Sequence, residues 1–404
     1  MSIHYTQVGE GGIKAVQQYG ASPPHFVIEE IIQEKKLTNE EASKCLNTLG
    51  KDESGVRYAY LMMTASEMKL TDISVITNYN HLLFVDVTGN LLNLEALQVL
   101  SQIPYLLYIR AERNRLESAA LNIIPYLQVL ILNKNAIIET GDINQPMLNS
   151  IELSDNQIFT VQFDPDRLES VREITLAGNH LLDTSGSYPK TLERLYLGRN
   201  KICKINTDFS QMEKLQVLHL RDNNIRKLSG FTSNLENLNY LNVRTNKINK
   251  IRQFRKLTCL SSLETLVMLD NPLYSNPIMV EHRGEGGEGT ERGGYTTEDT
   301  DEDKSEMYGE GHEDIAPLDI VRVRLLALLP KLKRINKDLV THEERKMAEE
   351  SRQRLLDEIF AEESSEEETE LATTNYTSDF TDSEVESGHP VSEQTVVDES
   401  DDGP

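Results

Sequence analysis

Eight side chains between residues 194 and 244 have the chemistry of a protein-binding surface. They are Arg194, Tyr196, Arg199, His219, Arg221, Tyr240, Asn242 and Arg244. Arginine and tyrosine often anchor interfaces, because each combines a large contact area with hydrogen-bonding groups. A plain solvated face would show the same residue types, and the sequence does not separate the two interpretations. A second, smaller group of this kind comprises Tyr108, Arg110 and Arg113.

No pattern in the sequence is typical of a catalytic, cofactor or metal site. The nine histidines lack metal-ligand spacing, and no serine or cysteine has the surroundings of a nucleophile. Residues 284–289 match G-x-G-x-x-G, but no strand precedes them and their glutamates would repel a phosphate. The acidic run at 299–303 lacks the glycine and the distal glutamate of a calcium loop. We therefore predict no enzymatic activity, no cofactor and no small-molecule substrate.

A short strand with one buried face must position the candidate residues. Residues 215–223 read L-x-x-L-x-L-x-x-N, in which Leu218 and Leu220 alternate with His219 and Arg221. This period of two directs the leucines to the core and predicts that His219 and Arg221 are exposed. Asn223 follows at the turn, where its carboxamide can bond backbone groups through both its oxygen and its nitrogen.

The same unit recurs along the chain, with steps of 21 to 25 residues between successive asparagines. The ladder asparagines are Asn90, Asn114, Asn135, Asn156, Asn179, Asn200, Asn223, Asn246 and Asn271. One unit cannot bury its own apolar face, so the copies must stack. The pattern predicts an α/β leucine-rich repeat solenoid with a parallel concave β-sheet, helical caps, and a disordered acidic loop and tail.

Breaks in the repeat pattern divide the chain into segments. A capping box at Thr38 and Glu41 predicts a helix that runs to about Leu49, and residues 56–66 are predicted to be an edge strand. A second capping box at Thr341 and Glu344 predicts a long, mostly solvated helix, because its apolar residues are sparse. The predicted segments are a mostly disordered 1–36, an N-terminal cap at 37–73, about nine repeats at 74–273, an acidic disordered insertion at 274–314, a C-terminal cap at 315–340, an extended helix at 341–360 and an acidic disordered tail at 361–404.

The net charge of −25 belongs to two segments. Residues 281–314 carry 13 acidic and three basic side chains, and residues 361–404 carry 15 acidic ones and no lysine or arginine. These segments would repel phosphate, so we expect no nucleic-acid partner. The tail is interpreted as a solubilising end; a contact for a basic partner, tuned by phosphorylation of Ser364, Ser365 or Ser383, is the alternative.

The chain has no apolar run of 18 residues and no basic-then-apolar start, so we expect neither a membrane span nor secretion. The odd number of cysteines, Cys45, Cys203 and Cys259, favours buried free thiols in a reducing compartment.

From Leu37 to about Phe360 the sequence resembles the leucine-rich repeat-containing protein 23 family. The stretches that carry the resemblance are Leu70-Thr-Asp-Ile73, Leu121-Asn-Ile-Ile-Pro-Tyr-Leu-Gln128, Leu218-His-Leu-Arg-Asp-Asn223, Leu228-Ser-Gly-Phe231, Tyr240-Leu-Asn-Val-Arg244, Leu269-Asp-Asn-Pro272 and the cap with its Glu-Glu-Arg345 helix. Two features depart from the family pattern: residues 274–314 separate the last repeat from its cap, and the acidic stretch is C-terminal.

The resemblance implies a scaffold in the head of radial spoke 3 of ciliary and flagellar axonemes, in the cytoplasmic cytoskeleton. It further implies that the chain binds other spoke-head proteins and supports cilium or sperm motility, and that Tyr196, His219, Arg221, Tyr240 and Arg244 match the family's residues. The alternative is a nuclear, acidic-tailed leucine-rich repeat protein that binds histones or regulates a phosphatase.

Overall fold

The computed structural model describes residues 2–7, 13–18, 33–52, 54–206, 211–275 and 319–361. The chain forms two compact units, one of Met1–Ile138 with Asp142–Leu148 and one of Glu139–Gly141 with Asn149–Pro404. Each unit contains short parallel strands that follow one another in chain order, so the predicted leucine-rich repeat fold is confirmed. The predicted acidic insertion, beyond residue 275, and the predicted tail, beyond residue 361, lie outside the described residues.

The N-terminal residues contain a hairpin rather than the expected disorder. Strands β1 (Ser2–Gln7) and β2 (Ile13–Gln18) pair antiparallel. Both runs contain β-branched residues, and glycines lie between them in the sequence, which is a hairpin signal that the prediction overlooked.

The first unit carries one strand per repeat after an antiparallel start. Its strands are β3 (Leu46–Lys51), β4 (Tyr58–Thr64), β5 (Phe84–Asp86), β6 (Tyr108–Arg110) and β7 (Val129–Ile131). β3 pairs antiparallel with β4, and β4 to β7 pair parallel in sequence order. The helices are α1 (Asn39–Cys45), α2 (Leu94–Gln98) and two 3₁₀ turns, Ser74–Asn78 and Val99–Gln102.

The N-terminal cap differs from its prediction in two ways. The capping box of Thr38 and Glu41 is confirmed, but α1 ends at Cys45 instead of about Leu49. The following residues form β3, because pairing with β4 satisfies their backbone groups across the sheet. β4 therefore has a neighbour on each side and is not the edge strand, which is β3.

The second unit continues the same construction. Its strands are β8 (Ser150–Glu152), β9 (Val161–Gln162), β10 (Glu173–Thr175), β11 (Gly186–Ser187), β12 (Arg194–Tyr196), β13 (Val217–His219), β14 (Tyr240–Asn242), β15 (Thr265–Val267), β16 (Arg334–Ile335) and β17 (Asp338–Leu339). β8, β10 and β12 to β16 pair parallel in that order, and β17 closes the series antiparallel. β9 and β11 form a separate parallel pair.

The core of the second unit is a leucine ladder. Leu195, Leu218, Leu241 and Leu266 occupy equivalent places in adjacent strands, and all four are fully buried. Register and burial agree because a one-residue slip would turn every leucine to the opposite face.

The ladder asparagines join each repeat to its neighbours. Asn223 Nδ2 donates to Leu220 O of its own repeat at 3.1 Å and to Leu197 O of the preceding one at 3.0 Å. Its Oδ1 accepts from Ile202 N at 3.0 Å. Asn246 makes the same three contacts one repeat further on. The asparagines thus satisfy buried backbone groups that the turns leave without a partner.

The residue before each ladder asparagine has a left-handed backbone conformation. These residues are Gly89, Arg113, Lys134, Asp155, Gly178, Arg199, Asp222, Thr245 and Asp270, with φ between 50° and 71°. Most are not glycine, so the sequence did not signal this conformation.

The C-terminal cap is built from two packed helices. α3 (Ile320–Leu328) begins at Asp319, whose side chain accepts from Val321 N, and α4 (His342–Glu350) begins with the predicted capping box. A further helical stretch covers 352–361. Fourteen of the twenty residues 341–360 are exposed, so this segment is mostly solvated as predicted, and Ala348, Leu355 and Ile359 are its buried apolar contacts. These few apolar residues suffice to pack the segment on α3, because arginines supply further contacts. Arg352, for example, donates to Ala327 O at 3.2 Å.

Candidate protein-interaction surface

The eight candidate residues lie on one face of β12, β13 and β14 or at the turns that follow. Arg194, Val217, Tyr240 and Thr265 are in register across four strands. Tyr196, His219, Asn242 and Val267 form a second row beside them. The leucines between these rows face the core, so the repeat pattern alone brings the candidate residues together.

The expectation that all eight are exposed is wrong for Tyr196, His219, Tyr240 and Asn242, which are buried. The His219 ring lies 4.7 Å from that of Tyr196 and stacks at 5.0 Å on that of Tyr240. Adjacent strands are about 4.8 Å apart, which is also a suitable distance between stacked rings. Rings from adjacent strands therefore cover one another, at equivalent positions for Tyr196 and His219 and diagonally for His219 and Tyr240, which alternation along a single strand does not reveal.

Apolar side chains extend this stack into a second small core. Val217, Tyr240 and Val267 form a cluster in which each residue is 5–6% exposed. The outward face of these strands is consequently a packed and ordered surface rather than a row of independent polar side chains.

The four arginines remain partly exposed, and three of them are held by carboxylates from other repeats. Arg194 Nε contacts Glu173 Oε2 at 3.0 Å, and Arg244 Nε contacts Asp270 Oδ2 at 2.8 Å. Arg199 Nη1 lies 3.0 Å from Asp155 Oδ1. These pairs fix the guanidinium positions, although partly exposed pairs contribute at most about 1 kcal/mol each to stability.

The environment of Arg194 keeps it charged. Partial burial lowers the pKa of its guanidinium, but the hydrogen bond and the charge of Glu173 outweigh that effect, so the pKa lies above its ordinary value. Arg194 is therefore a permanent cation of this surface.

The ion pair of Asp155 and Arg199 crosses an intervening repeat, and a glycine makes room for it. A Cβ atom on Gly178 would lie 2.1 Å from Asp155 Oδ1. Other residue types adopt the same left-handed conformation at equivalent positions, so the close carboxylate is what requires glycine here. Asp155 was not among the residues predicted from the sequence; the signal for it is an opposite charge at the same repeat position, two repeats before Arg199.

The first unit repeats this arrangement at the smaller candidate group. Arg113 pairs with Glu67, and a Cβ atom on Gly89 between them would lie 2.4 Å from that glutamate side chain. Arg110 Nε contacts Glu112 Oε1 at 3.1 Å. The ring of Tyr108, the third member of the group, lies 6.2 Å from that of Phe84.

In 33–52, 54–206, 211–275 and 319–361, no three His, Cys, Asp or Glu side chains converge as a metal site requires. Within the same ranges, no helix combines the length and the apolar character needed to cross a membrane. All three cysteines are free thiols, as expected, but none is buried: Cys203 is exposed, and Cys45 and Cys259 are half-buried.

Comparisons with known proteins confirm the resemblance noted in the sequence. A leucine rich repeat model matches residues 169–225, and a model of leucine rich repeats in two copies matches residues 213–256. Leucine-rich repeat-containing protein 23 of Mus musculus is 38% identical over 143 residues, which cover 35% of this chain and 42% of that protein. The Bos taurus protein of the same name is 33% identical over 170 residues, covering 42% of this chain and 49% of the relative. The chain thus spans less than half the length of these relatives.

Solved structures with a similar fold include a TLR13–ssRNA13 complex, with a TM-score of 0.46 and 19% identity over 54% of this chain and 35% of that one. An internalin from Listeria monocytogenes has a TM-score of 0.38 and 17% identity, covering 70% of this chain and 84% of its own. Likeness at this level carries no argument about function.

Proposed function

We propose that this chain is a non-enzymatic scaffold of the ciliary and flagellar axoneme. Its place is the head of radial spoke 3, where it binds other spoke-head proteins and supports cilium or sperm motility. The axonemal role rests on the resemblance to leucine-rich repeat-containing protein 23, and the matches to the mouse and cattle proteins of that name support it.

The docking surface is the face of β12 to β14, and one observation carries this assignment. The rings of Tyr196, His219 and Tyr240 pack into a buried platform, beside which arginines from three successive repeats are partly exposed, and Arg194, Arg199 and Arg244 among them are held by carboxylates. A partner therefore meets prepositioned cations, which lowers the ordering cost of binding. Arg221 and Arg244 are its most informative members, because both follow directly on the platform strands.

The test is a charge reversal at those two arginines in the full chain, Arg221→Glu with Arg244→Glu. We expect at least about a tenfold loss of affinity for spoke-head proteins, since reversing close interfacial charges costs several kilocalories. Incorporation into axonemes should fall in parallel. Because Arg244 pairs with Asp270, the unfolding curve of the variant is recorded as well.

Lys190→Glu with Lys214→Glu is the matched control. Both lysines are exposed on the second unit, outside β12–β14, and the variant makes the same total change in charge. The proposal requires normal axonemal incorporation of this control. Normal incorporation of the folded arginine variant would contradict the docking surface. Capture of histones or phosphatase subunits by the full chain, with no spoke-head protein, would contradict the axonemal role.

A further inference from the structure

One flank of the second unit is densely basic. Between residues 223 and 263 the sequence has eight basic side chains and one acidic side chain. Arg244, one of the eight, belongs to the candidate surface described above. We use the name basic flank for five of the remaining seven, Arg226, Lys227, Lys247, Lys250 and Arg255, together with Lys204 from the preceding repeat.

The repeats stack these cations on one another. Lys204, Lys227 and Lys250 each lie four residues after a ladder asparagine, at Asn200, Asn223 and Asn246. Main-chain hydrogen bonds join the corresponding turns: Asn224 N donates to Ile202 O at 2.8 Å, and Lys247 N donates to Ile225 O at 2.9 Å. Equivalent positions in adjacent repeats are therefore about 5 Å apart, as in any parallel ladder.

The flank faces solvent. Lys204, Arg226, Lys227, Lys247 and Arg255 are exposed, and Lys250 is half-buried. Asp183 occupies the position next to Lys204 in the same series and offsets part of its charge. Lys204, Lys227 and Lys250 are like charges at adjacent positions, which repel one another and together create a positive surface potential. An extended polyanion that follows the ladder would offset this repulsion.

The structure also shows where such a polyanion is tethered. Arg255 Cζ lies 4.6 Å from the centroid of the Phe360 ring. The chain continues from Ala361 into residues 362–404, which carry 15 acidic side chains and no lysine or arginine. The most acidic part of the sequence thus starts beside the basic flank.

We propose that the basic flank binds the acidic tail, residues 362–404, of the same chain. The distance to be covered is short, since each extended residue spans about 3.3 Å and the flank extends over three repeats. A tethered ligand has an effective concentration on the order of millimolar, so the tail binds ahead of nucleic acid or other free polyanions. This interaction is independent of the docking surface and of the proposed axonemal role.

Carbodiimide cross-linking of the full chain tests the proposal, because this reagent joins an amine to a carboxylate only when the two are in contact. At low salt, mass spectrometry should find tail carboxylates linked to Lys204, Lys227, Lys247 or Lys250. The exposed lysines Lys190 and Lys214, outside the flank, serve as internal controls and should remain unlinked. At about 1 M salt, where charges are screened beyond about 3 Å, the links should disappear.

A second experiment uses a full-chain variant in which every Asp of 362–404 is replaced by Asn and every Glu by Gln. Its flank lysines should show no cross-links to the tail, and its affinity for added poly-glutamate should exceed that of the unchanged protein about tenfold or more. Reversal of Lys227 and Lys250 to Glu should remove this gain.

Several results would overturn the proposal. Links that occur equally at Lys190 and Lys214 would show non-specific attraction. Links from the flank to 281–314 would identify that segment as the occupant. If labelled and unlabelled chains are mixed, links found only between the two would identify the tail of a second copy as the occupant. An unchanged affinity of the neutral-tail variant for poly-glutamate would show that the tail does not occupy the flank.

Discussion

Arg322 and Glu344 form a buried ion pair that joins four elements of the C-terminal cap. Their exposed fractions are 8% and 6%, and Arg322 Nε and Nη2 donate to the two carboxylate oxygens of Glu344. Arg322 also donates to Ile335 O at 2.9 Å and to Leu339 O at 3.0 Å. Glu344 accepts from Thr341 N at 2.8 Å, so the same carboxylate caps α4. The pair thus ties α3 to β16, β17 and α4.

The first prediction concerns acid stability. Burial raises the pKa of Glu344, but the hydrogen bonds from Arg322 and Thr341 outweigh burial and lower it below its ordinary value. Because the pKa of Glu344 is lower in the folded state, the ionised carboxylate stabilises the fold above the unfolded-state pKa of about 4.3. This stabilisation is lost as the pH falls through the folded-state pKa. Glu344→Gln should therefore cost about 3 kcal/mol at pH 7, the usual effect of breaking a buried pair, and less at acid pH. Urea unfolding between pH 7 and pH 3 measures both quantities.

Glu41→Gln is the control for this prediction, because Glu41 has the same place in the other capping box without a buried arginine. Glutamine can serve in a capping box, so the variant at the half-buried Glu41 should change little. Equal effects of the two variants would mean that helix capping, not the ion pair, stabilises the C-terminal cap.

The second prediction concerns the asparagine ladder. Asn223→Ala removes the hydrogen bonds to Leu197 O, Leu220 O and Ile202 N and leaves these buried groups without that partner. Each buried group left unsatisfied costs about 1–3 kcal/mol, so we expect a loss of at least about 3 kcal/mol. The neighbouring Asn224→Ala, at an exposed position, should stay within about 0.5 kcal/mol. Similar unfolding midpoints for both variants would show that the ladder bonds are not needed.

The third prediction concerns the leucine core. Leu218 is fully buried, and its truncation to alanine should cost about 2–5 kcal/mol. Leu182, which is 61% exposed, provides the matched substitution, and Leu182→Ala should have little effect. A loss below about half a kilocalorie for Leu218→Ala would be incompatible with the observed register.

The fourth prediction concerns Gly178. In Gly178→Ala the new methyl group meets the Asp155 carboxylate. The variant should therefore carry the conformational cost of a positive φ and also lose the ion pair between Asp155 and Arg199. Gly55 has the same φ of 70° but nothing within 4 Å of an added Cβ, so Gly55→Ala reports the conformational cost alone, about 1 kcal/mol.

We expect Gly178→Ala to be more destabilising than Gly55→Ala. In a double-mutant cycle, the cost of Gly178→Ala should fall toward that of Gly55→Ala when Asp155→Ala is also present. Additive effects of Asp155→Ala and Gly178→Ala would show that the two residues do not interact.

The sequence by itself determined the repeat. The asparagine spacing set the register, alternation placed Leu218 and Leu220 in the core, and two capping boxes located the starts of α1 and α4. These signals are local, because each depends on residues within one turn or one strand, where backbone geometry dictates which side chains share a face.

Only the tertiary structure decided features that depend on neighbours distant in sequence. Residues 46–51 follow a helix start but become β3, because β4 offers backbone partners to all of them except Thr48. Tyr196, His219 and Tyr240 are polar-face residues by alternation, yet they are buried because rings from adjacent repeats cover one another. Arg322 and Glu344, 22 residues apart, meet only once α3 and α4 have packed. Contacts between repeats and between packed helices are set by three-dimensional proximity, which no periodicity along one strand or helix encodes.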